Sequence, residues 1–214
     1  MLEYILRKEK ENGTLAKNGA VVKTIVTTEL VRSIADDYGV KTLDVLTGFK
    51  FIGEKIKEFK QNREYSFVFG LEESYGYLKG TYARDKDAVV AAMLVCEMAA
   101  DYKAMGKTLY DGLTEIYEKY GFCTQKLDTL TLSGFGGSKK IKEMMHKFRN
   151  EEMPFEVTQK LDYKDGLDEL PNSNEENQCG IKVVDKKLGT FVLYEIRNAY
   201  VNFLEFEFLC CKHY

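Results

Sequence analysis

Histidine is scarce in this chain of 214 residues: only His146 and His213 occur. His146 lies in the charged stretch "KKIKEMMHKF" and reads as a solvated helix residue. So few histidines argue against a histidine metal centre, and a serine–histidine triad would have to draw on one of these two. The five cysteines (Cys96, Cys123, Cys179, Cys210, Cys211) include one close pair, and that vicinal pair has no zinc spacing. They read as reduced thiols of a cytosolic protein. No basic stripe is present either. The 31 Lys and Arg and 34 Asp and Glu give a formal charge of −3 with the signs intermingled, so nucleic acid is not an expected partner. No apolar run approaches a membrane span, and the opening "MLEYILRKEKENG" is too charged for a signal peptide. A cytoplasmic protein without a membrane partner is expected. There is no internal repeat.

What the chain does contain is a regular alternation. "AVVKTIVTT" (20–28) is short and β-branched and predicts a buried strand. "ELVRSIADDYG" places Leu30, Val31, Ile34 and Ala35 on one helical face, with Gly39 at its end. "VKTLDVL" predicts a second strand, "FKFIGEKIKEFK" a second helix, and "EYSFVFG" a third strand. "DAVVAAMLVCEMAADYKAMG" predicts the longest helix, with an Ala and Met content suited to deep packing, and "TLYDGLTEIYEKYG" a further amphipathic helix. Three strand–helix alternations with short connections predict a three-layer, doubly wound, mostly parallel α/β sheet over 1–121. From Phe122 the texture changes to alternating strands around the charged helix "GSKKIKEMMHKFRNEE", with "DYKDGLDELPNSNEENQ" reading as a polar, turn-rich segment, which predicts a smaller α+β domain over 122–214.

In parallel sheets ligands gather beyond the carboxyl ends of the strands. Three polar loops fall there: "TTE", "TGFK" and "GLEESYG". Ionised Glu72 and Glu73 are pure acceptors, and one carboxylate can receive two sugar hydroxyls. Ser74 adds a hydroxyl, Gly76 admits close backbone approach, and Tyr75 or Tyr77 can wall a pocket. The same residues also suit a solvated loop that caps the next element. Adjacent carboxylates at a strand end point to opposite sides, which disfavours a two-carboxylate glycosidase mechanism. In "RDKD", Asp85 can cap the long helix and Asp87 suits its positive end. Arg84 and Lys86 sit where the dipole disfavours cations, and an anionic ligand would explain them as well as chance. "TGFK" places Thr47, Gly48 and Lys50 between strand and helix, and alone it reads as an N-cap followed by a surface lysine. "SGFGGSKK" fits neither the dinucleotide nor the Walker spacing, and Gly136 and Gly137 read as a turn into the next helix. No glycine fingerprint follows any strand, which weakens a nucleotide-binding reading.

Together "NGAVVKTIVTTELV", "DVLTGFKFIGEKI", "FGLEESYGYLKG" and "ARDKDAVVAAML" resemble the α-D-phosphohexomutases, the phosphoglucomutase/phosphomannomutase enzymes. The resemblance covers residues 9–121 and continues more weakly toward residue 150. It implies a four-domain enzyme that interconverts hexose 1-phosphate and hexose 6-phosphate, with this chain as the sugar-recognising third domain plus an atypical fourth. It further implies that Glu72 and Ser74 hold sugar hydroxyls, that Thr47 and Gly48 form the neighbouring substrate loop, and that Lys86 touches the ligand. Glu72 and Lys86 are both expected at exposed positions.

The family's phosphoserine stretch Ser-His-Asn-Pro and its Asp-Gly-Asp-x-Asp-Arg magnesium loop are absent from the sequence. The fourth domain's phosphate loop has "YEIRNAYVNFLEF" in its place, which keeps at most Arg197. Magnesium and glucose 1,6-bisphosphate, the cofactors the resemblance implies, are therefore expected to act in a complete enzyme. Amino-terminal domains of that enzyme are expected to supply the metal ligands and the phosphoserine. The ligand class is a phosphorylated hexose, with glucose favoured over mannose by resemblance. A non-catalytic sugar-phosphate binding module is the alternative.

Overall fold

The computed structural model describes residues 1–132, 134–151, 157–162, 178–185, 189–197 and 202–212. The chain divides into two compact units, Met1–Phe122 and Cys123–Lys212.

The first unit is built on β1 (Gly19–Thr24), β2 (Lys41–Val45), β3 (Ser66–Glu72) and β4 (Gly76–Lys79), in the sheet order β2-β1-β3-β4. β1 pairs in parallel with both β2 and β3, while β4 runs antiparallel along β3. All six residues of β1 are buried, as suits a β-branched strand covered on both faces. Five helices accompany the sheet: α1 (Leu2–Glu11), α2 (Leu30–Asp37), α3 (Phe49–Asn62), α4 (Ala88–Ala104) and α5 (Leu109–Tyr120). Leu2, Ile5 and Leu6 of α1 and Val31, Ile34 and Ala35 of α2 form one core with Val21, Val68, Phe69 and Leu71. Gly70, the neighbour of Phe69, instead faces Ile52 of α3. Strand residues alternate between faces, so α1 and α2 cover one face of the sheet and α3 the other. A fully buried Leu or Ile contributes about 1.5–3 kcal/mol, and Leu6, Ile25, Ile52 and Ile56 are each fully buried.

Several expectations need correction. The first strand stops at Thr24, because the chain turns there: the Thr27 amide donates to the Thr24 carbonyl (3.0 Å) and the Ile25 amide reaches Val45 (2.8 Å). α1 lies in the charged opening segment and β4 in the tyrosine-rich stretch, and neither stood out as a regular element. α4 is not deeply packed. Only its Tyr102 is buried, and Val89, Met93 and Val95 are exposed. Leu94 and Met98 are partly buried against the core. A helix apolar around its whole circumference suggests burial on every side, but in this chain just one side is covered. α5 opens with a reciprocal capping box between Thr108 and Asp111, which stabilises its first turn.

β5 (Phe122–Leu132) belongs to the second unit from Cys123 on, followed there by α6 (Gly134–Asn150), β6 (Val157–Asp162), β7 (Gln178–Asp185), β8 (Gly189–Arg197) and β9 (Asn202–Lys212), in the sheet order β5-β9-β8-β7-β6. The β6–β7, β7–β8 and β8–β9 pairs are antiparallel. Gly136 and Gly137 lie inside the first turns of α6 rather than in a turn before it. His146 is exposed on that helix. The polar stretch expected between strands falls on 163–177, outside the described residues, while Arg197 ends β8. Cys123 is disulfide-bonded and Cys96 is a free, exposed thiol. That departs from five reduced thiols, since spacing along the chain does not reveal which sulfurs meet. No described helix is long and apolar enough to cross a membrane.

Candidate functional site

The parallel strands β1, β2 and β3 end along one edge of the first unit's sheet, and the polar loops start from that edge. β3 runs through Glu72, which pairs across the hairpin with Gly76, the first residue of β4. Glu72 is therefore a strand residue and only 5% exposed, not a loop carboxylate in solvent. Its Oε1 accepts a hydrogen bond from Lys86 Nζ at 2.7 Å. Lys86 itself remains exposed, with 52% of its side chain accessible. The Glu72 carboxylate, as a hydrogen-bond partner, holds the Lys86 ammonium above its ordinary range. This pairing removes the puzzle of a cation at a helix start: its partner comes from the neighbouring hairpin.

Gly76 has a different role from the one expected. A Cβ built there would lie 2.6 Å from both Cγ and Oε1 of Glu72. The glycine makes room for the Glu72 side chain, so that its carboxylate can lie over the hairpin. Gly76→Ala is expected to push that carboxylate off Lys86 and to cost about 1–2 kcal/mol, in the range of overpacking a filled site. Urea unfolding of the chain would measure the loss, and an unchanged midpoint would show that the close approach is not maintained in solution.

Glu73 turns elsewhere. Its Oε2 accepts from Thr24 Oγ1 at 2.7 Å and its Oε1 from Ser74 Oγ at 3.1 Å. The two adjacent carboxylates thus serve different partners, as alternation at a strand end requires. Tyr75 takes a left-handed conformation (φ 59°) and is exposed. Tyr77 stacks on Phe69, with ring centroids 6.2 Å apart, as part of the packing around the core. Of the two tyrosines, Tyr75 is the one left to face a ligand.

The "RDKD" segment is tied to the same hairpin. The Asp87 amide donates to the Tyr77 carbonyl at 2.8 Å. Asp87, not Asp85, caps α4, accepting from the Val89 and Val90 amides at Oδ1 (2.9 and 3.0 Å). The Tyr82 hydroxyl donates to its Oδ2 at 2.6 Å. This bond, together with those amides, holds the Asp87 carboxyl below its usual range. Asp85 accepts from the Lys86 amide. Arg84 donates to the Thr81 and Ala83 carbonyls at 2.6 and 2.9 Å.

Gly48 is the N-cap residue of α3, with φ 117° and no side-chain cap bond, so the N-cap in "TGFK" is a backbone turn that favours glycine, and Lys50 after it is exposed. Thr47 and Gly48 follow β2, while Glu72 ends β3, with β1 between them. Two strand spacings, about 10 Å, separate those strand ends. Glu72 and Lys86 are in direct contact, Ser74 lies on the same hairpin, and Thr47 and Gly48 lie farther along the same edge.

Sequence reasoning passed over the support beneath these loops. Lys23 is fully buried, and its Nζ donates to the Thr24 and Thr27 carbonyls at 3.3 and 3.0 Å. It also meets Glu29 Oε1 and Asp44 Oδ1, each at 3.0 Å. Arg32 closes the group on Glu29 Oε2 (3.0 Å) and Asp44 Oδ2 (2.7 Å). The available signal was a lysine in the middle of the apolar stretch "AVVKTIV".

Acceptor groups collected past the carboxyl ends of parallel strands, with a cation among them, occupy the place where α/β domains bind ligands. Residues 1–120 match the family model described as "Phosphoglucomutase/phosphomannomutase, alpha/beta/alpha domain III". The chain belongs to the phosphoglucomutase/phosphomannomutase family, and this part is its third domain. The phosphoglucomutase of Staphylococcus aureus strain USA300 is 42% identical over 130 residues, covering 61% of this chain and 23% of that protein. The phosphoglucomutase of the bovine strain RF122 is 41% identical over the same length. The chain thus spans about a quarter of the length of these curated relatives (23%). In fold it resembles the open form of Paramecium pp63/parafusin, a phosphoglucomutase, with a TM-score of 0.68 at 17% identity, over 99% of this chain and 36% of that one. A phosphoglucomutase/phosphomannomutase family protein from Burkholderia thailandensis gives a TM-score of 0.60 at 11% identity, with the same coverage.

Proposed function

We propose that this chain supplies the sugar-binding part of a phosphoglucomutase/phosphomannomutase-type intramolecular phosphotransferase. The complete enzyme would interconvert hexose 1-phosphate and hexose 6-phosphate in carbohydrate metabolism, in the cytoplasm. The observation that carries this reading is the buried Glu72 carboxylate held by exposed Lys86 at 2.7 Å, with the exposed Ser74 on the same hairpin. A carboxylate fixed in this way can accept hydroxyl protons of a sugar, while the ammonium next to it favours a phosphorylated one. Thr47 and Gly48 would border the ligand from the β2 end.

The chain alone is proposed to be inactive, because the phosphoserine stretch and the magnesium loop are absent from its sequence. Among the described residues no group of three His, Cys, Asp or Glu side chains could hold a metal ion. The described residues therefore do not fit magnesium. Magnesium, the phosphoserine and the handling of glucose 1,6-bisphosphate are assigned to the further length that the relatives possess. The second unit is proposed to be a divergent fourth domain.

Calorimetry of this chain with glucose 1-phosphate and glucose 6-phosphate, beside a coupled mutase assay, tests the reading. Binding without turnover is the expected result. Robust turnover by the chain alone would refute the claim of missing parts, and absence of binding would remove the sugar-site assignment. Glu72→Gln keeps size and shape but weakens a charge-assisted bond, with an expected cost of about 2 kcal/mol of binding. Lys86→Ala should weaken phosphorylated glucose more than free glucose. Equal losses for both sugars would show that Lys86 acts only by holding Glu72.

A further inference from the structure

Glu73, which the resemblance assigns no role, stands at the centre of a directed set of hydrogen bonds. An ionised carboxylate only accepts, and each hydroxyl has one proton to give. The Thr24 proton goes to Glu73 Oε2 at 2.7 Å. Thr24 Oγ1 also lies 2.7 Å from Thr27 Oγ1, so in that contact Thr27 must be the donor. Ser74 gives its own proton to Glu73 Oε1 at 3.1 Å. Thr24 and Thr27 are buried, and Lys23 grips both of their backbone carbonyls, which fixes the base of the set. At the surface the consequence is simple. Ser74 has only lone pairs left to offer, and the Glu72 carboxylate, two residues earlier on the same hairpin, is likewise an acceptor.

We propose that Glu73 is a positioning and specificity-determining residue. By tying the hairpin tip to the end of β1 and taking the Ser74 proton, its carboxylate leaves an acceptor-only edge that selects a ligand edge made of hydroxyl donors. This rests on the sugar-binding reading and narrows it. The hexose must present hydroxyl protons to Glu72 and Ser74, while its phosphate stays away from them, toward Lys86. A ring position that accepts but does not donate is refused there, because two acceptors would face each other without a proton between them.

The test uses glucose 1-phosphate and its 3-deoxy-3-fluoro and 4-deoxy-4-fluoro analogues, since fluorine keeps the size but gives no proton. The wild-type chain should bind at least one fluoro analogue about tenfold more weakly than the parent sugar. In Glu73→Gln the amide can give a proton to Ser74 and turn the serine's own proton outward. The parent sugar should then weaken, and the fluoro penalty should shrink to about twofold at the ring position that Ser74 reads while persisting at the one that Glu72 reads. Fluoro penalties unchanged at both ring positions in Glu73→Gln overturn the proposal, and so does the absence of any penalty in the wild type.

A second measurement needs no ligand. In Glu73→Ala, hydrogen exchange at the amides of 24–28 and 73–76 should accelerate together, by about tenfold or more, with the rest of the sheet unchanged. If the two segments respond independently or not at all, the tie does not exist and the proposal falls. If the wild type fails to bind sugar phosphate yet the two segments open together, the sugar-binding reading fails while the tie stands.

Discussion

Lys23→Ala is expected to destabilise the first unit by about 3–5 kcal/mol, the range for breaking a buried ion pair from one side. Lys23 is fully buried while its partners Glu29 and Asp44 keep 20% and 17% of their side chains accessible. Removing the ammonium takes away the buried cation that Glu29 and Asp44 share, while Arg32 still reaches both. It also strips a donor from the Thr24 and Thr27 carbonyls, which are held at 3.3 and 3.0 Å. The loss should therefore exceed that of an ordinary surface ion pair, which is worth about 1 kcal/mol or less. Urea unfolding is the direct measurement. A loss below about 1 kcal/mol would mean that water reaches the site and solvates both carboxylates when Lys23 is gone. Lys23→Met separates packing from charge: it fills most of the space but gives no proton, so it should recover only a minor share of the loss.

That residue also marks where reading the sequence ran out. The apolar periods of β1, α2 and α3 were legible, because local spacing decides which side of a strand or helix faces the core. The second-strand and third-strand runs were legible for the same reason. β4 was not, since four residues beginning with glycine carry too little pattern, and their strand character comes from pairing with β3. The "LEESYGYL" and "RDKDAV" stretches were legible as polar groups in need of a partner, but not as partners of each other. Lys86 and Glu72 are 14 residues apart, and the contact between them exists because β4 brings the Asp87 amide onto Tyr77. Exposure was misjudged at two places for two reasons. Glu72 looked like a loop residue because charge usually signals solvent, whereas its buried position depends on a missing Cβ at Gly76. α4 looked like a core helix because it is apolar all round, whereas burial depends on what lies against it.

Gly53 lies buried inside α3. Glycine inside a helix is unfavourable by about 1 kcal/mol relative to alanine, so from helix propensity alone Gly53→Ala should stabilise the chain. The structure reverses that sign. A Cβ at this position would lie 2.4 Å from the Arg84 carbonyl oxygen and 3.3 Å from its carbon. Those are backbone atoms, so no side-chain rotation relieves the clash, and either α3 or the segment leading into α4 must move. The expected net loss is about 3 kcal/mol, at the upper end of overpacking costs because the obstacle is main chain. The segment that moves carries Lys86 and the cap residue Asp87. Affinity for glucose 1-phosphate should therefore fall together with stability, although Gly53 lies on a helix and touches no proposed ligand. Urea unfolding and calorimetry on the same variant measure both. A stabilised Gly53→Ala chain would mean that α3 and the Arg84 backbone are not held this closely, and that the helix does not set the position of Lys86.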